Sequence, residues 1–258
     1  MGKLRLMLRK HRRIISMLGT ALAAALILWT VNNPAIVGVS ATERQLPVYC
    51  VQRDDNKIAI SFDAAWGNED TQKLIDILSA FGVRTTFFVV GDWAEKYPES
   101  VKALHEAGHE VMSHSAHHAH FSMMSASEIA EDLREANRLI AVCTGAEPTL
   151  FRCPYGEYDD HVIQTVKSLG MTAVQWSVDS LDWKGIDADE ICDRVLKRVE
   201  PGSIVLFHNA AEHTPEALPR ILSELRSRGY TIVPVSELLL EGETRIDHTG
   251  KQLPAAGA

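Results

Sequence analysis

Short β-rich runs alternate with amphipathic segments along this chain from Lys57 onward, and this alternation restricts the fold more than any other feature. The β-rich runs cover residues 58–62, 85–90, 110–112, 150–151, 172–176, 204–207 and 231–233. The segments between them, such as 70–81 and 127–143, repeat apolar residues at helical spacing. Seven such units predict an α/β fold of parallel strands and crossover helices, as an open doubly wound sheet or a closed barrel.

Polar residues indicate where the first of these helices begin. Asn68 is expected to cap the 70–81 helix, and Ser125 or Ser127 to start the 127–143 helix. In parallel α/β folds the chemistry lies at the carboxyl ends of the strands. Residues directly after each β-rich run are therefore the candidates for function.

The amino terminus joins a basic head to an apolar run. Residues 1–13 hold six Lys and Arg residues and no acid, and residues 14–31 are almost wholly apolar. Eighteen helical residues span about 27 Å, enough for a hydrocarbon core. The preceding positive charge predicts a signal anchor with a cytoplasmic head and the rest of the chain outside the cell membrane. The alternatives are a signal peptide removed after Ala41, which gives a secreted protein, and a buried soluble helix.

The charge distribution excludes one class of partner. The chain has 26 basic and 34 acidic residues, and six of the basic ones lie in the head, so the remainder is strongly acidic. Such a body repels phosphate backbones, which argues against nucleic-acid binding. Residues 32–56 read as a linker and lead-in, and residues 241–258 as a disordered tail.

Four widely spaced cysteines contain no Cys-x-x-Cys pair, so a thiolate zinc cluster is not supported. They are Cys50, Cys143, Cys153 and Cys192. An external compartment permits disulfides, but the spacing defines no pairing. The default expectation is buried small hydrophobic residues.

Titratable side chains follow five of the seven β-rich runs. They are Asp63 after 58–62, His114 and His118 after 110–112, Arg152 after 150–151, Asp179 and Asp182 after 172–176, and His208 after 204–207. One helical turn would place His114 and His118 on one face, where the two imidazoles can share a divalent ion. The alternative is a surface loop that is rich in histidine.

These motifs, in this order and spacing, resemble a known family. They are Ser-Phe-Asp-Ala at 61–64, His-Ser-Ala-His-His at 114–118, Arg-Cys-Pro-Tyr at 152–155, Asp-Trp at 182–183 and Leu-Phe-His at 206–208. The resemblance is to polysaccharide deacetylases of the NodB-homology type, carbohydrate esterase family 4, and covers residues 57–240. Within the family it is nearest to membrane-anchored, sporulation-type members. It implies a distorted (β/α)7 barrel.

The resemblance also implies roles for individual residues. Asp63 matches the catalytic base and Arg152 its partner, while His208 matches the general acid and Asp182 the acidic residue that tunes this histidine. His114 and His118 match the metal ligands. Tyr155 matches the residue whose backbone amide stabilises the oxyanion, and Trp183 and Leu206 match residues of the substrate groove. The implied cofactor is a divalent metal, with zinc expected and cobalt, nickel or manganese as alternatives.

One position departs from the family pattern. The pattern places a second aspartate, the third metal ligand, directly after the base, whereas this chain has Ala64. A methyl group cannot bind a cation. Candidates for the missing ligand are His120, the Glu69–Asp70 pair and solvent alone, and of these we expect water to complete a weakened two-histidine site.

Three functions fit these residues. The leading one is an extracytoplasmic hydrolase that removes N-acetyl groups from an amino-sugar polymer, such as peptidoglycan of the wall or spore cortex. The alternative is a degenerate, non-catalytic protein that binds glycan through Trp66, Tyr155 and Trp183. A metal-dependent hydrolase of small soluble amides is a third. The complete set of base, arginine and acid favours an enzyme, since a binding module needs none of them.

Overall fold

The computed structural model describes residue 11, residues 17–29 and residues 44–255. The chain divides into two units, Met1–Glu43 and Arg44–Ala258. In the first unit, residues 17–29 form helix α1. Of the helices within the described ranges, none has both the length and the apolar character that crossing a membrane requires. Most of the basic head, both ends of the predicted anchor and the Ala41 position lie outside the described residues, so these expectations stay predictions.

The second unit is built on one curled parallel sheet that forms a half-barrel. Its strands are β2 (Lys57–Ala64), β3 (Thr86–Val89), β4 (Glu110–Ser113), β5 (Leu150–Phe151), β6 (Thr172–Ala173), β7 (Val178–Asp179), β8 (Ile204–His208) and β9 (Thr231–Ile232). Seven strands follow the order β6-β5-β4-β3-β2-β8-β7, and β9 pairs with the start of β2. The predicted α/β class with parallel strands is confirmed, and the sheet is consistent with the (β/α)7 type.

Helices connect the strands and cover the sheet. They are α2 (Thr71–Ala80), α3 (Gly91–Lys96), α4 (Pro98–Glu106), α5 (Ala126–Thr144), α6 (Asp160–Ser168), α7 (Ala188–Leu196), α8 (Thr214–Ser227) and α9 (Val235–Leu238). The core lies between the sheet and helices α2, α4, α7 and α8. All residues of β2 after Lys57 are buried, as expected for a central strand covered on both faces.

The lead-in before β2 joins two strands that the main sheet leaves apart. Val48 bridges Val174, just after β6, while Cys50 bridges Ser203, just before β8. The backbone at Val51 lies so close to position 202 that only glycine fits there. The φ angle of Gly202 is +83°, and an added Cβ would lie 1.7 Å from the Val51 carbonyl oxygen.

The carboxyl terminus corrects one expectation. The predicted disordered tail contains β10 (Thr244–Ile246) and β11 (Lys251–Pro254). Together with β1 (Cys50–Val51), from the predicted linker, they form a small sheet in the order β1-β11-β10. Strands this short show too little periodicity for recognition from sequence, and their pairing depends on distant partners.

Two local expectations also need correction. Asn68 does not cap α2: the residue at the helix start is Asp70, and the Asn68 amide donates instead to Ser100 Oγ at 3.1 Å. The predicted 172–176 strand ends at Ala173, and the separate strand β7 follows it. In contrast, Ser125 caps α5 through a capping box with Glu128.

The four cysteines are free thiols. Cys153 and Cys192 are buried, whereas Cys50 and Cys143 are half-buried. Burial raises the pKa of the Cys153 thiol to about 12, so it behaves as a small hydrophobic residue. The default expectation for these residues is confirmed for the two buried cysteines.

Candidate active site

Neighbouring strands of the half-barrel bring the predicted residues to one edge of the sheet. Asp63 lies near the end of β2, and His208, its register partner, ends the adjacent strand β8. On the other side of β2, beyond β3, His114 follows β4 and Arg152 follows β5. The parallel register therefore places four candidates from four strands at the same carboxyl edge.

Asp63 and Arg152 form a buried ion pair. Arg152 Nη1 donates to Asp63 Oδ1 at 2.8 Å. Burial alone would raise the pKa of the Asp63 carboxyl, but the positive charge of Arg152 outweighs it and holds that pKa below its usual range. The carboxylate is therefore ionised at neutral pH, as a general base requires.

Arg152 is held from several sides. Its Nη2 donates to Ser61 Oγ at 2.9 Å and to the Gln175 carbonyl at 3.1 Å. The guanidinium carbon also lies 4.1 Å from the centroid of the Phe88 ring. A fully buried charge needs such partners, and they fix the guanidinium next to Asp63.

His114 is oriented with one ring nitrogen directed toward Asp63. Its Nδ1 donates to the Arg152 carbonyl at 2.8 Å, which leaves Nε2 without a proton, 3.5 Å from Asp63 Oδ2. Burial lowers the pKa of His114, so the imidazole is neutral. A neutral imidazole with a fixed tautomer is the form that binds metal ions.

His118 reaches His114 through a loop rather than a helix. The two ring centroids are 4.9 Å apart, but Ser115 and His118 have φ angles of 73° and 51°, so the predicted helical turn is wrong. The backbone N–H of His118 donates to Ser115 Oγ, and that of Ala116 to the buried carboxylate of Asp132. Burial and the neighbouring His114 lower the pKa of His118 to about 4.

His208 and Asp182 form a second charged pair. His208 Nδ1 donates to Asp182 Oδ1 at 2.8 Å, and Asp182 Oδ2 accepts from the His208 backbone N–H and from Thr214 Oγ1. Burial opposes charge on the imidazole, but the Asp182 carboxylate outweighs it and raises the pKa of His208. His208 is therefore suited to donate a proton. Asp182 follows β7, not the predicted 172–176 strand.

Three exposed aromatic side chains belong to the loops that contain the site residues. Trp66, Tyr155 and Trp183 are 45%, 58% and 52% exposed, and the Trp66 ring stacks on His208 at 5.6 Å. Leu206, in contrast, is buried within β8. Exposed aromatic rings close to polar side chains are suited to stack against sugar rings.

Tyr155 has a left-handed backbone, with φ 58° and ψ 4°. Within residues 44–255 its main-chain N–H has no hydrogen-bond acceptor. Ser115, His118, Leu181 and Ala210 also have positive φ, and all lie in loops at the carboxyl ends of the strands. Such backbone strain concentrates where the surrounding structure holds a functional geometry.

Asn209 was missed by sequence reasoning. Its amide donates to the carbonyls of Trp66 and Gly67, its Oδ1 accepts from the Ala65 N–H, and its backbone N–H donates to the Asp63 carbonyl. It therefore links the loop after β2 to the loop after β8. Its position directly after His208 was the only sequence signal.

The donor set fits a metal ion only in part. His114 and His118 offer two neutral imidazoles, but the described residues contain no group of three His, Cys, Asp or Glu that could hold a metal. Ala64 is buried in the apolar core. His120 Nδ1 instead donates to Glu157, while Asp70 accepts from the Ala210 N–H.

Comparisons with known proteins identify the family of this chain. Residues 51–174 match the family described as polysaccharide deacetylase. The peptidoglycan-N-acetylmuramic acid deacetylase PdaA of Bacillus subtilis is 31% identical over 212 residues, which cover 80% of each chain. The peptidoglycan-N-acetylglucosamine deacetylase of Bacillus cereus is 30% identical over 193 residues, 73% of this chain and 70% of that protein. This chain also covers 62% of the uncharacterized protein YlxY of B. subtilis, with 31% identity.

A solved structure shares the fold. Wild-type BA3943 of Bacillus anthracis, a CE4 family pseudoenzyme, matches with a TM-score of 0.72 and 31% identity over 74% of this chain and 68% of that chain. A BA3943 mutant with restored enzymatic activity matches with the same TM-score and 32% identity, over 74% of this chain and 70% of that chain. The motifs, the fold and these relatives agree, and the chain belongs to the polysaccharide deacetylase family.

Proposed function

We propose that this protein hydrolyses N-acetyl groups from an amino-sugar polymer of the cell wall, with peptidoglycan as the substrate class. The observation that carries the proposal is the position of Asp63 and His208 as register partners on adjacent strands, where the pKa of Asp63 is lowered and that of His208 is raised. Two titratable groups with pKa values moved apart supply a base and an acid at the same pH. A glycan-binding module needs neither.

The proposed reaction uses one water molecule for each acetamide. Asp63 takes a proton from the attacking water, and Arg152 keeps the carboxylate ionised between turnovers. The oxygen adds to the acetyl carbon, and the carbonyl oxygen gains negative charge. The free N–H of Tyr155 is available to stabilise that charge.

Collapse of the tetrahedral species requires an acid. His208 donates its proton to the departing nitrogen while Asp182 holds the imidazole in place. The carbon–nitrogen bond breaks, which gives a free amine and acetic acid that ionises to acetate. Asp63 then releases its proton to solvent and His208 takes one up, which restores both groups. Without the proton from His208 the leaving group would be an amide anion, which is too basic to depart.

His114 and His118 would hold the divalent cation. When bound, the cation polarises the carbonyl and lowers the pKa of water toward about 7. Zinc is the metal that we propose, because imidazole ligands suit it and it tolerates water in the remaining positions. With Ala64 where the family has an aspartate, we propose a site that binds metal more weakly than three protein ligands would.

The exposed aromatic rings and the amino terminus support the polymer assignment. Trp66, Tyr155 and Trp183 present exposed rings on which sugar units can stack.

We also propose that residues 14–31 anchor the protein in the membrane with the catalytic unit outside, facing the wall. A role in sporulation would fit an enzyme that acts on the spore cortex.

Release of acetate tests the proposed function. Purified full-length protein in detergent is incubated with acetylated peptidoglycan and with the same glycan after chemical deacetylation, in the presence and absence of zinc. We expect acetate from the acetylated glycan only. Absence of acetate at every zinc concentration would contradict the proposal.

A second candidate is favoured by Ala64 and by similarity to a pseudoenzyme. It is a non-catalytic protein that binds glycan through its exposed aromatic rings. Sedimentation of the protein with acetylated glycan, with no acetate released, would identify this alternative. The two candidates are thus separated by measurements on one sample.

A further inference from the structure

His120 joins two loops at the opening of the active site. Its imidazole stacks on the Tyr155 ring, with centroids 4.3 Å apart and planes 11° from parallel. Its Nδ1 also donates to Glu157 Oε2 at 2.9 Å. A single side chain from the loop after β4 therefore contacts two residues of the loop after β5.

The Tyr155 ring has no core to hold it. The residue is 58% exposed, and its left-handed backbone is a conformation that costs a non-glycine residue about 1–3 kcal/mol. Such a conformation persists only when its neighbours fix it. The ring contacts that surround it come from His120 on one side and from His118, edge-on with centroids 4.5 Å apart.

His120 is placed for this task rather than for metal binding. Its Nδ1 is occupied by Glu157, and its ring face lies against tyrosine. Among the described residues it joins no set of three ligands with His114 and His118. Donation from Nδ1 does not by itself prevent Nε2 from binding a metal, as at His114, so the lack of such a ligand set is what favours stacking and hydrogen bonding as the functions of His120.

We propose that His120 is a positioning residue that acts through Tyr155, holding the exposed ring and the strained backbone so that the free N–H stays in place for the oxyanion. Glu157 fixes the orientation of the imidazole. The inference rests on the proposed function, because it assigns the Tyr155 N–H to that reaction. His120 thus acts through stacking, whereas Asp63, Arg152 and His208 act through their charge.

Three variants separate stacking from metal binding. His120→Ala removes the stack and the hydrogen bond, His120→Phe keeps an aromatic ring, and His117→Ala removes an exposed histidine of the same loop as a control. A misplaced oxyanion donor costs about 10- to 100-fold in kcat, with KM little changed. We expect that loss in His120→Ala, recovery to within about threefold of wild type in His120→Phe, and wild-type values in the control.

Zinc titration of the same variants tests the competing role. If His120 positions Tyr155, the zinc Kd stays within about twofold in all three. If the zinc Kd rises tenfold or more in both His120→Ala and His120→Phe, His120 is a ligand and the inference is overturned. Unchanged kcat in His120→Ala overturns it equally.

A readout that needs no activity separates this inference from the proposed function. The full-length chain in micelles is labelled with ¹⁵N-tyrosine, which gives five amide signals, and Tyr155→Phe identifies the Tyr155 signal. We expect this signal to shift and broaden in His120→Ala and to return in His120→Phe. An unaltered signal in His120→Ala would refute the positioning role even in an inactive protein, whereas a shifted signal without acetate release would refute only the deacetylase proposal.

Discussion

At the scale of residues, two charged pairs define the site, and they shift the pKa values of Asp63 and His208 in opposite directions. Arg152 lowers the pKa of Asp63, and Asp182 raises the pKa of His208. Each partner is itself buried, so neither charge is screened by water. The residue types were predictable from their positions after β-rich runs, whereas the depth of burial that makes each pair effective was not.

Asp182→Asn is predicted to move the pH profile. The carboxylate raises the pKa of His208, so its loss lowers that pKa, and the imidazole then loses its proton at lower pH. The decline of kcat on the basic side should therefore begin at lower pH than in wild type. Rates of acetate release from pH 5 to 10 measure the shift.

The control for this variant is Asp54→Asn, which removes an exposed carboxylate outside the site. Its profile should match that of wild type. A basic limb that stays in place in Asp182→Asn, with folding verified by circular dichroism, would contradict the assignment of His208 as the acid.

At the scale of elements, most of the site residues lie in loops that follow the strands. The spacing of His114 and His118 predicted proximity, and the rings are close, but the backbone achieves it with two positive φ angles instead of a helix. Strand β7 and the terminal strands β10 and β11 were not predicted. Their stability depends on pairing with segments far along the chain, and the local hydrophobic pattern does not identify those segments.

The lead-in gives a prediction about stability. Gly202→Ala should destabilise the fold by about 3 kcal/mol or more, because it combines a positive φ with a Cβ that meets the Val51 carbonyl. Gly229 also has positive φ, but nothing lies within 4 Å of its added Cβ, so Gly229→Ala should cost only about 1–2 kcal/mol. Thermal unfolding of both variants measures the difference, and equal losses would mean that the lead-in does not pack against Gly202.

Ala64 gives a prediction about the metal. Ala64→Asp should lower the melting temperature without metal, since it buries a carboxylate in the core. If it supplies the third ligand, it should tighten zinc binding at least tenfold, about 1.4 kcal/mol. Calorimetry with zinc measures the affinity. Ala64→Asn, of the same size but uncharged, is the control, and equal affinities in all three proteins would show that position 64 does not reach the metal.

At the scale of the whole molecule, the amino-terminal segment gives a prediction about where the second unit acts. We predict that residues 14–31 hold the full-length chain in the membrane with the second unit outside the cell. Protease added to intact protoplasts should degrade the second unit, while a cytoplasmic marker protein survives. Protection of the second unit, or a mature chain that starts at Thr42, would contradict the anchor.

The family and fold class were accessible from sequence because the site residues follow the strands in a fixed order. The pairing between segments far apart in the chain could not be predicted from sequence. Val48 and Cys50 reach across to strands late in the chain, and the predicted tail completes their small sheet. Contacts of this kind arise from tertiary packing, so they leave no periodic pattern in one sequence.

Acetate release by wild type and by Asp63→Asn, with zinc present, tests the central claim most directly. Loss of the general base should reduce the rate by about 10²–10⁴-fold, while acetate and new free amines appear in equal amounts in wild type. Because the variant leaves the buried Arg152 charge without a carboxylate, thermal unfolding first verifies that the protein is folded. His208→Gln provides an independent loss of the acid. Equal rates in wild type and in both folded variants would contradict the account.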